Sequence, residues 1–290
     1  MPEVTGYCME WLNEAQIDAK YSVPASLMYQ NNILASEAVD EALESEMREF
    51  EWEAATPVAK SPKLFGPPGR PYPAILLIGN SHMKMYAPGL QKLAVEYEMQ
   101  IGFATRDGYW MDIVPWRDYG KIWRPRVTVM GDFFGGAFAN GMYGDTFDWG
   151  AFYDEVLEFS DRFVVLGDIP FADLCCDTGA LMKNDVYQRS IADGNFDFLT
   201  RVTERPFFAS RRRKVEAAIQ AAALLPRFVG RVQYIEMASY FQTMAQPYYL
   251  QLVDPISGGL VYRDTGHVNK AGARRVEQVF RKEVFGQPIC

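Results

Sequence analysis

The sequence predicts an α/β fold in which a parallel sheet is covered by helices on both faces. Short, wholly apolar runs recur along the chain, as buried parallel strands require. Stretches with apolar residues at helical spacing lie between them. The two kinds alternate in order, the pattern of a sheet wound by crossover helices.

The elements follow in sequence. Residues 74–78 are apolar throughout and read as the first strand. Residues 88–97 read as a helix, and 100–105 and 127–130 as strands. Residues 148–160 carry Trp149, Phe152, Tyr153, Val156 and Leu157 at helical spacing. Residues 163–166 form another apolar strand, 214–225 an Ala-rich helix and 232–237 a strand. Asn269 is placed to cap a last helix carrying Ala271, Val276, Val279 and Phe280.

Residues 1–60 read differently. Ser36 is a candidate cap for a helix with Glu37 and Asp40 in its first turn. Val39, Leu43, Met47, Phe50 and Ala54 line one face, and an acidic face opposes them. This is expected to be a helical extension packed on a core, with a partner-binding helix as the alternative. Residues 61–73 hold five prolines, so neither helix nor central strand is expected there. They read as a connector, leaving 74–290 as the main domain.

Composition narrows the function. The 290 residues are 49% hydrophobic and 14% aromatic, enough for a sizeable core. A net charge of -8 disfavours a general nucleic-acid surface, which needs a clustered positive field. The basic run Arg211-Arg212-Arg213-Lys214 reads as a solvated helix start. There is no apolar run of about 18 residues, so no membrane span is expected. No basic-then-apolar leader opens the chain. Either the protein is cytoplasmic or its targeting lies elsewhere. The four cysteines, Cys8, Cys175, Cys176 and Cys290, are too few for a disulfide scaffold. Neither they nor the histidines have metal-ligand spacing, so no metal or cofactor is expected.

Only two histidines occur, and both sit in short polar motifs. The first motif is Leu77-Ile78-Gly79-Asn80-Ser81-His82 and the second is Tyr262-Arg263-Asp264-Thr265-Gly266-His267. A serine hydroxyl becomes an effective nucleophile when a base takes its proton. Histidine is the usual base, and a carboxylate normally fixes its tautomer. Ser81 follows the first strand directly, and sites in open α/β sheets form at the carboxyl ends of strands. A serine in this position also serves simply as a helix cap. Likewise, Asp264 and His267 could be turn residues that satisfy backbone groups.

Residues 74–110 and 250–280 together resemble the SGNH (GDSL-like) hydrolase superfamily. More narrowly, they resemble the SGNH domain fused to acyltransferase 3 membrane domains. In that group the first block is a strand, then Gly-Asp-Ser-His, then a helix with a nearby Pro, here Pro88-Gly89-Leu90. The last block is Asp-x-x-His followed by a polar, Gly- and Ala-containing helix start, here Asp264 to Ala273. The resemblance implies a three-layer flavodoxin-like fold. It implies Ser81 as nucleophile, His267 as general base and Asp264 as its orienting carboxylate. An oxyanion hole would use the Ser81 N–H, with Gly108 as the best match for the second block's donor. The chain departs from the pattern at Asn80, where the family usually has Asp. It departs again at Gly131-Asp132, where ordinary relatives carry an Asn after the Gly. Asp132 cannot donate when ionised, and Asn140 is the nearby candidate.

The activity implied is acyl transfer through an acyl-Ser81 intermediate, to water or to a carbohydrate hydroxyl. An acyl donor and a carbohydrate or small-molecule ester would be its partners. A membrane acyltransferase partner would place the domain facing the periplasm or the outside. The alternative is a non-catalytic glycan-binding module on a degenerate SGNH fold. His82 is expected to be structural. Tyr109, Trp110, Trp116, Tyr119 and Trp123 read as core, or alternatively as a sugar-stacking platform. Residues 171–208 read as an insertion shaping the pocket.

Overall fold

In a computed structural model, the residues described are 63–65, 73–105, 110–111, 114–139, 143–144, 146–173, 193, 202–243, 248–252, 261–262, 265–268 and 270–286. The expected helix within 1–60 and all four cysteines lie outside them.

The strands are β1 (Lys63–Phe65), β2 (Ile75–Gly79), β3 (Ile101–Thr105), β4 (Val127–Gly131), β5 (Arg162–Leu166) and β6 (Val232–Ile235). They form one sheet in the order β1-β3-β2-β4-β5-β6. From β3 across to β6 every pairing is parallel, as expected. β1 is antiparallel to β3 at the edge. It arises inside the Pro-rich connector, where only an edge position leaves room for flanking prolines that cannot donate to a ladder.

The helices are α1 (Ser81–Lys84), α2 (Ala87–Glu96), α3 (Trp116–Trp123), α4 (Phe134–Ala139), α5 (Trp149–Leu157), α6 (Pro206–Ala223), α7 (Lys270–Arg275) and α8 (Glu277–Glu283). α5 starts where Asp148 caps it, its side chain accepting from Ala151 N at 2.9 Å. α6 begins eight residues before the expected position 214, with Pro206 in its first turn, where the missing N–H costs nothing. The final helix divides into α7 and α8 at Val276.

The alternation of a strand sends its side chains to two separate cores. Ile75, Leu77, Val129, Val164 and Leu166 pack with Leu90 and Leu93 of α2 and Phe280 of α8. Leu76, Ile78, Met130, Phe163 and Val165 pack with Trp116, Trp123, Trp149, Phe152 and Ile219. Trp110, Trp116, Tyr119 and Trp123 are therefore core residues, with ring faces committed to neighbours.

The chain runs from β2 to β3 on one side and then crosses back over β2 to β4 on the other, so the switch point, where open α/β sheets form their crevice, lies at the carboxyl ends of the paired strands β2 and β4. Gly79 pairs with Thr105 and with Gly131, so the carboxyl ends of β3, β2 and β4 are level. Gly79 has φ +140, and a Cβ there would lie 1.8 Å from the Gly131 carbonyl oxygen. Only glycine lets the chain turn into α1 at this approach.

Candidate active site

Three consecutive strands of the sheet each place a polar residue just past their carboxyl ends. β2 is followed by Asn80 and Ser81, β4 by Asp132, and β5 by Asp168. Ser81 opens the four-residue α1, with Asn80 as its cap: the Asn80 Oδ1 accepts from His82 N at 2.9 Å. This cap fixes the turn that presents the Ser81 side chain, which is partly exposed.

His267 comes from the far end of the sequence. An isolated bridge between Tyr262 and Val268 ties the two sides of its turn. Val268 N contacts Met85 Sδ at 3.5 Å, and Ala172 N donates to Thr265 O at 2.7 Å. Gly266 lies against the Phe171 ring, where a Cβ would come within 2.7 Å of a ring carbon. The result is a hydrogen bond between His267 Nε2 and Ser81 Oγ of 2.8 Å, across 186 residues of sequence. That distance suits proton transfer between hydroxyl and imidazole.

His82 enters the same site. It is buried, and its Nδ1 donates to Asp168 Oδ1 at 2.7 Å. One face of its ring stacks on Phe133 at 4.7 Å, and its ring centroid lies 4.8 Å from that of His267 in an edge contact. Behind it, Asp168 N donates to Glu216 Oε1 at 2.9 Å. Glu216 also accepts from Arg212 at 2.8 Å, and Arg212 reaches both oxygens of Glu204 at 2.9 Å. Burial pushes the Glu216 carboxyl up to about 7, against the pull of Arg212. The basic run in α6 is thus solvated at Arg213 and Lys214 but not at Arg212. It lies within the helix, and Arg212 is 6% exposed. Nothing in the run marks which arginine faces inward; Glu216, one turn further on, is the available hint.

Asp132 is a second buried acid. Its carboxylate accepts from Asn80 Nδ2, from Phe133 N at 2.7 Å, from Trp110 Nε1 at 2.6 Å and from the Tyr143 hydroxyl. Burial raises it to about 6, opposed by the hydrogen bonds from Trp110, Tyr143 and Phe133 N.

Of the residues expected from sequence, the structure brings Ser81 and His267 together. Asp264, Gly108 and Asn140 lie outside the described residues. Asp168 and Glu216 went unmarked in the sequence. The signal for Asp168 was its place two residues after an apolar run, where strand ends gather. Among the described residues, no group of three His, Cys, Asp or Glu side chains is arranged to hold a metal ion.

The profile of the family described as "SGNH domain (fused to AT3 domains)" matches residues 48–282. The chain belongs to this family. The SGNH domain thereby gains an acyl-transfer and hydrolase family context. Its match begins before β1, so it takes in the edge strand and the Pro-rich segment. Among solved structures, this SGNH domain is similar to the Salmonella ser. Paratyphi A lipopolysaccharide acetyltransferase periplasmic domain. The identity is 13%, over 74% of this chain and 85% of that one, with a TM-score of 0.49. No curated protein sequence matches the chain significantly. Among the described residues of this SGNH domain, no helix is long and apolar enough to cross a membrane.

Proposed function

We propose that this SGNH domain is a serine-dependent O-acyltransferase or esterase acting on carbohydrate esters. The observation that carries the reading is the 2.8 Å contact between Ser81 Oγ and His267 Nε2 at the β2–β4 crevice. Ser81 Oγ attacks the carbonyl carbon of the acyl donor as His267 Nε2 takes the hydroxyl proton. The tetrahedral intermediate collapses, its bond to the donor's leaving group breaks, and His267 returns the proton to that group. The acyl-Ser81 ester is then attacked by an acceptor hydroxyl, whose proton passes to His267 and finally back to Ser81 Oγ.

Asp264 is assigned to orient His267 and stabilise its imidazolium. The Ser81 N–H and Gly108, or alternatively Asn140, are assigned to the oxyanion. The domain is assigned to an acyl-transfer system with a membrane AT3 partner, and so to the periplasmic or outer side. Support for this comes from the family's description as fused to AT3 domains. Residues 74–290 are assigned to the catalytic domain and 1–60 to a helical extension.

The test is 4-nitrophenyl acetate hydrolysis by wild type, Ser81→Ala and His267→Ala, with mass spectrometry for an acetyl adduct. The expected result is a loss of about 10³-fold or more in both variants, and an adduct on Ser81 in the wild type. Equal rates in all three proteins overturn the reading. Glycan binding without turnover would then make the domain a binding module.

A further inference from the structure

We propose that Asp132 is a positioning residue of the acyl-transfer site and that Asn80 and Asp132 form a complementary amide–acid pair whose identities exchange. The proposal rests on the catalytic reading of Ser81 given above. Asn80 uses both ends of its amide. Its Oδ1 caps α1 through His82 N, and its Nδ2 donates to Asp132 Oδ1. The direction of each bond is therefore dictated, because a backbone N–H must meet an oxygen.

Asp132 gathers three parts of the chain at the end of β4. Through Asn80 it holds the turn that presents Ser81. Through Trp110 Nε1 it holds the chain after β3, two residues beyond Gly108. Through the Tyr143 hydroxyl it holds the segment after α4. All four groups that reach it are donors, two on each oxygen. Asp132 is 1% exposed, so no solvent replaces a lost partner. The residue therefore acts as an acceptor that fixes the loops bearing N–H groups, and not as a donor to the oxyanion itself. Burial raises its pKa to about 6, and the hydrogen bonds that reach it oppose that rise.

The geometry predicts an unequal pair of single substitutions. Asn80→Asp sets two buried carboxylates face to face, and one must take up a proton or the contact opens. Asp132→Asn leaves an amide NH2 facing donors: Asn80 Nδ2 and Phe133 N in one orientation, or Trp110 Nε1 in the other, where the Tyr143 hydroxyl can turn to accept. The double exchange is different. The carboxylate introduced by Asn80→Asp still accepts from His82 N and also accepts from the new amide at position 132. The amide oxygen at position 132 keeps Trp110 and Tyr143. Only the Phe133 N–H is left without its acceptor.

The experiment measures kcat and KM for 4-nitrophenyl acetate, with thermal midpoints, on wild type, Asn80→Asp, Asp132→Asn and the double exchange. All rates are taken where near-ultraviolet circular dichroism shows each protein folded. The expected result is a kcat loss of about 10²-fold for Asn80→Asp and about 10-fold for Asp132→Asn, with KM little changed. The double exchange should recover kcat above both singles, and its midpoint should exceed that of Asn80→Asp. A purely structural acid would move the midpoints and leave kcat of the folded proteins unchanged, which overturns the positioning role. Additive losses in the double exchange overturn the pairing. If Ser81→Ala retains wild-type turnover, the catalytic reading fails, and midpoint recovery or additivity still decides the pair.

Discussion

His82 and Asp168 form a buried pair one residue from Ser81, joined through Nδ1 and Oδ1 at 2.7 Å. The two come from different strand ends, β2 and β5, with β4 between them. The bond fixes the rotation of the His82 ring, and the Phe133 stack fixes its plane. The His82 and His267 rings then meet in an edge contact, and the His267 Nε2 meets Ser81 Oγ. A histidine expected to be structural is therefore part of the wall that holds the candidate base.

Removing the carboxylate should slow the reaction without unfolding the protein. Asp168→Asn is expected to lower kcat for 4-nitrophenyl acetate by about 10- to 10²-fold, with KM little changed, because small displacements at reacting groups are costly. His82→Phe keeps a planar ring but no Nδ1–H, and should cost a similar factor. The double substitution should cost no more than the worse single, since both act through one contact. A multiplicative loss in the double substitution, or wild-type kcat in Asp168→Asn, would count against this role.

Much of the fold was legible in the sequence because the parallel strands are buried on both faces. Runs such as Ile75 to Ile78 and Phe163 to Leu166 are apolar throughout and too short for a buried helix, which favours a strand. α3 was legible but not read: Trp116, Tyr119 and Trp123 stand at i, i+3 and i+7, the spacing of one helix face, and their aromatic character masked it. Ser81 and His267 could be read because each lies in a local motif. Asp168, Glu216 and Arg212 lie in no such motif and left only weak signals. Their partners lie between 4 and 86 residues away, and an isolated acid after a strand looks like any turn residue. The exchange of roles between Asn80 and Asp132 was visible only as two departures from a family pattern. Their contact in space joins them into one feature.

The Asp132 carboxyl gives opposite pH dependences to stability and to activity. Its ordinary value is 3.8 and its folded value is about 6. The folded state thus holds the proton more tightly than the unfolded state between those values. Stability from this group is greatest at low pH and falls as pH rises from about 4 to about 6. The ionised form is the one that accepts all four hydrogen bonds, so kcat should rise through about 6. Comparing thermal midpoints of wild type and Asp132→Asn from pH 4 to 7 isolates the contribution. The wild type should lose midpoint relative to the variant as pH rises across the window. A constant difference between the two proteins would mean that Asp132 titrates alike folded and unfolded.

Arg212 should be the most costly basic residue to lose. Its guanidinium bridges Glu204 and Glu216, and the side chains of all three are less than a tenth exposed. Arg212→Met removes the cation and leaves two buried acids without their partner. Breaking a buried pair in this way costs about 3–5 kcal/mol, which lowers the thermal midpoint by on the order of 10 °C in a domain of this size. Arg212→Lys restores charge but not the two-pronged contact with Glu204, so it should recover only part of the midpoint. Adding Glu204→Gln and Glu216→Gln to Arg212→Met removes the uncompensated charge and should recover more. The amide introduced by Glu216→Gln still offers an oxygen to Asp168 N, so the His82–Asp168 pair keeps its rear support and turnover should persist in the folded fraction. Thermal unfolding followed by circular dichroism, with turnover measured below the transition, reads both effects. An Arg212→Met midpoint equal to that of the wild type would show that the bridge contributes nothing to the fold. Loss of turnover in the triple variant at full folding would show instead that the charge itself, and not the support of Asp168, reaches the site.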